Sequence, residues 1–499
     1  MLHSVHNTAG RDRSSMAFCH GLLTPFLLAT ALALSGQTAN PTAAETIAGL
    51  KAAMQAGDAS AIALAEAAAT RFPDEAAILL WLGHAYRHGR QLTAASAAYL
   101  RAATLDPDHP EILMGQASLR EVVGDLLGAM ALYERVVDVA PEFAAGWRAA
   151  GVIQMQLGDH GRAVNYFAQY LELAPGDPDV RYLYGVALYF GGSHDEAIAT
   201  LEESVERYPD LVSVRYALGV VLADRPESHG RALALLQVAA EAGFEEVEAT
   251  YLIGRIHADQ GELEPAVAAF ERTIDLDGDH LDAHYRLASA LARLGRREDA
   301  KPIMTRFSEL QQRFNADEAH HKQLKTARNE LAAAIAARDG AAVERAVQEM
   351  LSLAPEDPDV LVAVAKVWIS TGRESAAFDA CAAASQIAPE HWEANYLYGL
   401  LLTSRGRPQD ALEPLRRSLA GNPLFVLTHV VTGNSLMLLG EPDAAADSYL
   451  AAIDLEADNP GYWLNLATAY GELGRTDLQR RAGAEYQRLM NEQTPTREQ

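Results

Sequence analysis

Residues 76–109 read AAILLWLGHAYRHGRQLTAASAAYLRAATLDPDH. Leu79, Leu82, Gly83 and Tyr86 stand at i, i+3, i+4 and i+7, which is one face of a helix. Arg87-His88-Gly89-Arg90 interrupts that apolar pattern, and Gly89 suits a helix end. Ala95, Tyr99 and Ala102 mark a second amphipathic face. Asp106 and Pro107 stop it, because proline has no N–H to donate and disfavours helix at the residue before it. The stretch therefore predicts helix, short turn, helix, turn.

Working outward, the stretch recurs. Pro107, Pro141, Pro175 and Pro209 are 34 residues apart, as are Pro355, Pro389 and Pro423. A period of this length is the signature of a repeat architecture. A small-residue column keeps the same step through Gly83, Ala117, Gly151, Gly185 and Gly219, with Gly254 one residue late. Side chains this small let the two helices of a hairpin approach closely. A second column is alanine throughout, at Ala95, Ala129, Ala163, Ala197, Ala232, Ala266, Ala300, Ala377, Ala411 and Ala445. Four residues after each comes a larger apolar residue: Tyr99, Tyr133, Phe167, Leu201, Leu236, Phe270, Met304, Cys381, Leu415 and Tyr449. A lone hairpin cannot bury such a face, so neighbouring hairpins must supply the core.

These residues resemble the tetratricopeptide repeat, whose pattern is W-x2-L-G-x2-Y, then A-x3-F, then P. Leu79, Leu82, Gly83, Tyr86, Ala95, Tyr99 and Pro107 follow it, and Trp463, Leu466, Ala467 and Tyr470 repeat its first half near the C-terminus. The resemblance implies an all-α, right-handed superhelical solenoid. It also implies that the first helix of each hairpin lines a concave groove where extended peptides bind.

The chain divides accordingly. Arg11 and Arg13 precede an apolar run, Leu22 to Leu34, and Ala33-Leu34-Ser35 offers small residues for cleavage, so residues 1–35 read as a signal peptide. The expected location is periplasmic or secreted, with no membrane span in the mature chain. Residues 36–75 hold a degenerate first hairpin, and 76–306 a first block with copies starting near 76, 110, 144, 178, 212, 247 and 281. Pro209 to Pro355 spans 146 residues, ten more than four periods. One surplus residue lies in the turn Arg225-Pro226-Glu227-Ser228. The other nine fall in 307–326, read as a joining helix or hinge. A second block with a C-terminal cap occupies 327–490, with copies near 358, 392, 426 and 460, and 491–499 reads as a disordered tail.

The formal net charge of −26 argues against nucleic acid, which calls for a basic footprint, and is compatible with a basic partner. Of two cysteines, Cys19 falls in the leader and Cys381 in the apolar column, so neither a disulfide framework nor metal-ligand spacing exists. His84 and His88 are four apart on one helix but lack a third ligand, and they read as exposed histidines, as do His280 and His284. Asp275-Leu276-Asp277-Gly278-Asp279 resembles the start of a calcium loop, but Arg286 stands where its last glutamate belongs, so it reads as a turn. No nucleotide-binding glycine loop or nucleophile elbow occurs, and the repeats leave little chain for a catalytic domain. No cofactor, metal or catalytic residue is expected.

One column of the expected groove is aromatic: Tyr182, Tyr216, Tyr251, Tyr285 and, beyond the join, Tyr396, with Leu80 and Met114 at the same place earlier. Tyrosine combines a rigid apolar body with a polar tip, which suits recognition. The alternative is that these rings simply pack between hairpins. Nearby positions are Tyr189, Phe190, Asp224, Arg255, Asp259, Arg293, Lys366 and Asn434, whose mixed signs form no clear carboxylate or phosphate clamp. The expected function is a non-catalytic protein-interaction scaffold holding a protein or peptide segment. The alternative is an accessory subunit of an envelope or polysaccharide-export machine with a glycan-binding groove. Arginine and asparagine lining the groove would favour peptide; tyrosines without charged groups would favour glycan.

Overall fold

The apolar stripes between the prolines fold as helix pairs. A computed structural model describes residues 41–57 and 60–493. These hold 25 α-helices, one 3-10 turn at Pro226–Ser228, and no strand. The leader, residues 1–35, lies outside the described residues, as do 494–499. The degenerate first hairpin is the pair Ala43–Gln55 and Ala61–Arg71. At the other end the helix Thr476–Gln493 carries the chain past 490. First helices begin at Ala76, Pro110, Ala144, Pro178, Val212, Glu246 and Leu281, then at Pro358, Trp392, Val426 and Pro460, each within a residue of the start read from the period. Proline leads four of these helices because the first turn has no intrahelical use for its missing N–H.

The helices form two compact units: residues up to Arg120 with Leu126–Asp159, and Glu121–Asp125 with His160 onward. In the first unit, Tyr99, Ile112, Leu113 and Tyr133 are at most 2% exposed. In the second, successive cores centre on Leu236 and Phe270, on Val347 and Met350, on Cys381 and Leu415, and on Tyr449 and Leu466. The alanine column is buried at every copy. The glycine column is where the large column sits. A Cβ on Gly83 would lie 2.4 Å from the Tyr99 ring, and one on Gly254 would lie 2.7 Å from the Phe270 ring. Cys381 is fully buried, and burial pushes its thiol up to about 12, as for a small core hydrophobe. Met304 is the exception in the large column at 38% exposed.

Met304 belongs to a single helix of 41 residues, Arg297–Ala337, which runs through the whole of 307–326. That stretch contains neither glycine nor proline, so nothing in it breaks the helix. The helix packs on Leu281–Arg293 with its first part and on Gly340–Leu353 with its last. Its buried residues are Ala300 and Leu310, then Leu324, Ala327, Leu331 and Ala334, with none in between. The nine surplus residues are thus a solvated helical shaft.

Turns inside the hairpins place one residue in the left-handed region, usually glycine, as at Gly158 (φ 79) and Gly192 (φ 86). In the 76–109 copy that residue is Arg90 (φ 58), and Gly89 keeps a negative φ. A non-glycine residue there costs about 1–2 kcal/mol, whereas the extra freedom of glycine in the unfolded chain costs about 0.5–1 kcal/mol. Arg90→Gly is therefore expected to raise stability by about 0.5–1 kcal/mol in denaturant unfolding. A lower midpoint would mean that the arginine makes a contact worth more than its strain.

Candidate functional site

Four consecutive first helices of the second unit, Pro178–Phe190, Val212–Leu222, Glu246–Gln260 and Leu281–Arg293, touch one another in series and bring one stripe from each onto a shared face. The tyrosine column lies along it, but its members differ. Tyr182 is half-buried, Tyr216 is 4% exposed and Tyr251 5%, whereas Tyr285 is 51% exposed. Tyr396, in the helix Trp392–Ser404, is 8% exposed.

The difference has a local cause. An aromatic residue just before the next first helix closes over the ring. Phe244 meets Tyr216 edge-on at 5.5 Å, His280 lies against Tyr251 at 4.7 Å, and Phe425 meets Tyr396 edge-on at 4.9 Å. The corresponding residue for Tyr285 is Phe314, and there the chain continues as the long helix instead of turning. Tyr285 rests on Phe307 at 5.3 Å, and Phe314 stays 56% exposed.

Polar groups link the hairpins. Asp224, just past Val212–Leu222, accepts hydrogen bonds from the Tyr189 hydroxyl and from Arg255 Nη2, both at 2.8 Å. It thereby ties three successive hairpins. Burial and the bond to Asp224 push the Tyr189 hydroxyl up to about 12. Arg286 Nε donates to the Tyr251 hydroxyl at 3.0 Å. Asp224, His229, Arg255, Asp259, Gln260 and Arg286 line a pocket of about 460 Å³. Two buried polar atoms of this region have no hydrogen-bond partner among the described residues: Arg255 Nε and the Tyr216 hydroxyl.

Other sequence-named positions lie apart from this pocket's lining. Arg293 is exposed and donates to the Ala258 carbonyl at 3.4 Å. Phe190 packs on His160, ring centroids 5.1 Å apart. Lys366 pairs with Glu393, and Asn434, on Val426–Leu438, accepts from the Tyr449 hydroxyl at 2.8 Å. Sequence reasoning did not single out His229, Gln260 or Arg286. Their signal is proximity to the Asp224 turn, whose extra residue begins the 3-10 segment Pro226–Ser228.

The histidines require correction. His84 is half-buried: its Nδ1 shares a 2.7 Å hydrogen bond with the Tyr99 hydroxyl, and burial lowers its pKa to about 4. His284 is 4% exposed, and His280 caps its helix by accepting from the Ala283 N–H at 3.2 Å. Only His88 is exposed as expected. Among the described residues no three His, Cys, Asp or Glu side chains group as a metal site. In the 275–279 turn, Asp277 accepts from the Asp279 N–H at 3.1 Å, and Asp279 pairs with Arg306 at 2.8 Å and Arg313 at 2.6 Å. No helix of the described residues is long and apolar enough to cross a membrane.

Serial hairpins presenting one continuous polar face define a helical-repeat scaffold of the protein-interaction class. A family model described as tetratricopeptide repeat matches residues 50–110, 114–178, 251–301, 375–424 and 431–495, and a second of the same description matches 154–219. The chain belongs to the tetratricopeptide repeat family. Over 91 residues it is 31% identical to the mouse protein named Protein O-mannosyl-transferase TMTC3 and 30% identical to the human one. These matches cover 18% of this chain and 10% of the relatives, so it spans about a tenth of their length. Similar solved structures include MamA 41-end from Desulfovibrio magneticus RS-1, at 23% identity and TM-score 0.32, covering 34% of this chain and 95% of that one. Another is a tetratricopeptide repeat protein from Parabacteroides merdae, at 21% identity and TM-score 0.35, covering 50% and 98%.

Proposed function

We propose that this chain is a non-catalytic scaffold that holds an extended protein segment along the first helices from Pro178 to Arg293. The pocket at Asp224, Arg255, Asp259, Gln260 and Arg286 is its centre. The carrying observation is that these polar side chains come from successive hairpins and converge on one pocket. Arginine and glutamine donors suit the carbonyls of an extended chain. The tyrosine faces that a sugar platform would use at 216, 251 and 396 are covered by packing, which favours peptide over glycan. The mechanism is preorganisation: a groove already ordered gives up little entropy on binding. The basic and apolar leader supports action in the periplasm or after secretion, within an envelope assembly.

A photo-crosslinking residue at Asp259, compared with one at exposed Arg231 on a second helix, tests this in envelope extract. The expected result is a discrete, protease-sensitive adduct from position 259 alone. Equal labelling from both positions would remove the groove reading, and a protease-resistant carbohydrate adduct would replace peptide by glycan.

A further inference from the structure

North of the pocket, toward the start of the same helices, lies a second group of polar side chains. Tyr216 is 4% exposed and its hydroxyl has no hydrogen-bond partner among the described residues. That hydroxyl lies within electrostatic reach of Glu248, Glu245 and Tyr182, and the Tyr182 hydroxyl in turn feels Glu245. The four groups come from three consecutive hairpins. Glu245 is held there by a left-handed backbone at the start of its helix (φ 46). Burial raises the pKa of the Glu248 carboxyl, against the pull of Arg255 and with Glu245 and Asp282 adding negative charge. Arg255 is itself held by Asp224 at 2.8 Å, seven residues along from Glu248, and Arg286 by Tyr251 at 3.0 Å.

An unpaired buried hydroxyl costs about 1–3 kcal/mol, and native proteins seldom keep one without a use. The group that this recess lacks is one that brings N–H donors and positive charge and no acceptor. Lysine and arginine side chains are the protein groups of that description. We propose that the recess bounded by Tyr182, Tyr216, Glu245 and Glu248 receives a lysine or arginine side chain of the partner segment, which donates to the Tyr216 hydroxyl oxygen and the Glu248 carboxylate. The aliphatic stem lies along the half-buried Tyr182 ring, leaving the charged head at the acceptors. The chain's net charge of −26 steers such a segment toward the face. This deepens the groove reading and rests on it.

The test uses the full chain and a cellulose-bound library of nine-residue peptides, each position fixed in turn, followed by fluorescence anisotropy on the best binder. The expected outcome is selection of Lys or Arg at one position. Replacing that residue by norleucine, or Glu248→Gln in the protein, weakens binding about 10- to 100-fold, and the two changes together cost little more than either. Tyr216→Phe weakens binding about fivefold while its thermal midpoint holds or rises, since it deletes an unpaired buried polar atom. A lowered midpoint for Tyr216→Phe would show a structural partner for the hydroxyl and overturn the proposal. Tight peptides without a Lys or Arg preference would overturn it and leave the groove reading standing. Binding of no peptide at all would remove both.

Discussion

Phe270→Ala is expected to cost about 3–5 kcal/mol and to do its damage locally. The ring is fully buried between the helices Glu246–Gln260 and Leu263–Leu276, with Tyr251 at 6.1 Å and the bare backbone of Gly254 beneath it. Because Gly254 has no side chain to move, the cavity left by the ring has little to fill it. In a solenoid each hairpin is held by its neighbours alone, so the loss should stay near its source. Hydrogen exchange read peptide by peptide should show protection falling across 246–276 and persisting in Trp392–Ser404. Equal loss in both places would mean that the second unit unfolds as one cooperative block.

Gly399→Val is expected to destabilise by about 3 kcal/mol, although glycine inside a helix is ordinarily a defect worth about 0.5–1 kcal/mol relative to alanine. Two effects oppose each other here, and geometry decides between them. A Cβ at 399 would lie 2.6 Å from Leu415 Cγ and 2.7 Å from Leu415 Cδ2, well inside contact distance. The gain in backbone entropy cannot offset forcing Trp392–Ser404 away from Pro408–Gly421. Leu415→Ala in the Gly399→Val background should recover part of the loss, which a double-mutant cycle in denaturant would measure. No coupling between the two positions would show that something other than this contact fixes the separation of the helices.

The fold was legible because its determinants are local and repeated. The proline at each repeat end and the glycine, alanine and large apolar columns each constrain the same hairpin, and the helix starts follow within a residue. The site was less legible because a column names a face and leaves its cover unspecified. Tyr216 and Tyr285 occupy the same place in the repeat, yet one is 4% and the other 51% exposed. The deciding residues, Phe244 and Phe314, lie nearly a full repeat later, and what separates them is whether the chain turns there. His84 shows the same limit: spacing put it on a helix face, but its partner Tyr99 comes from the second helix of the hairpin. Gly89 misled for a smaller reason, since the turn assigned its left-handed position to the next residue, Arg90.

The helix Arg297–Ala337 ties distance to rotation. Its 41 residues make a rod of about 60 Å, and each residue advances the chain about 1.5 Å while turning it about 100°. A loop absorbs an added residue by bulging, whereas a rod passes the twist to everything attached beyond it. Between Leu310 and Leu324, then, chain length works as a phase setting. One residue gained or lost would rotate the buried stripe Leu324, Ala327, Leu331 and Ala334 by more than a quarter turn against Leu310. Changes near a whole number of turns leave that phase nearly intact, so the length of this bare shaft is quantised in a way that its sequence is not.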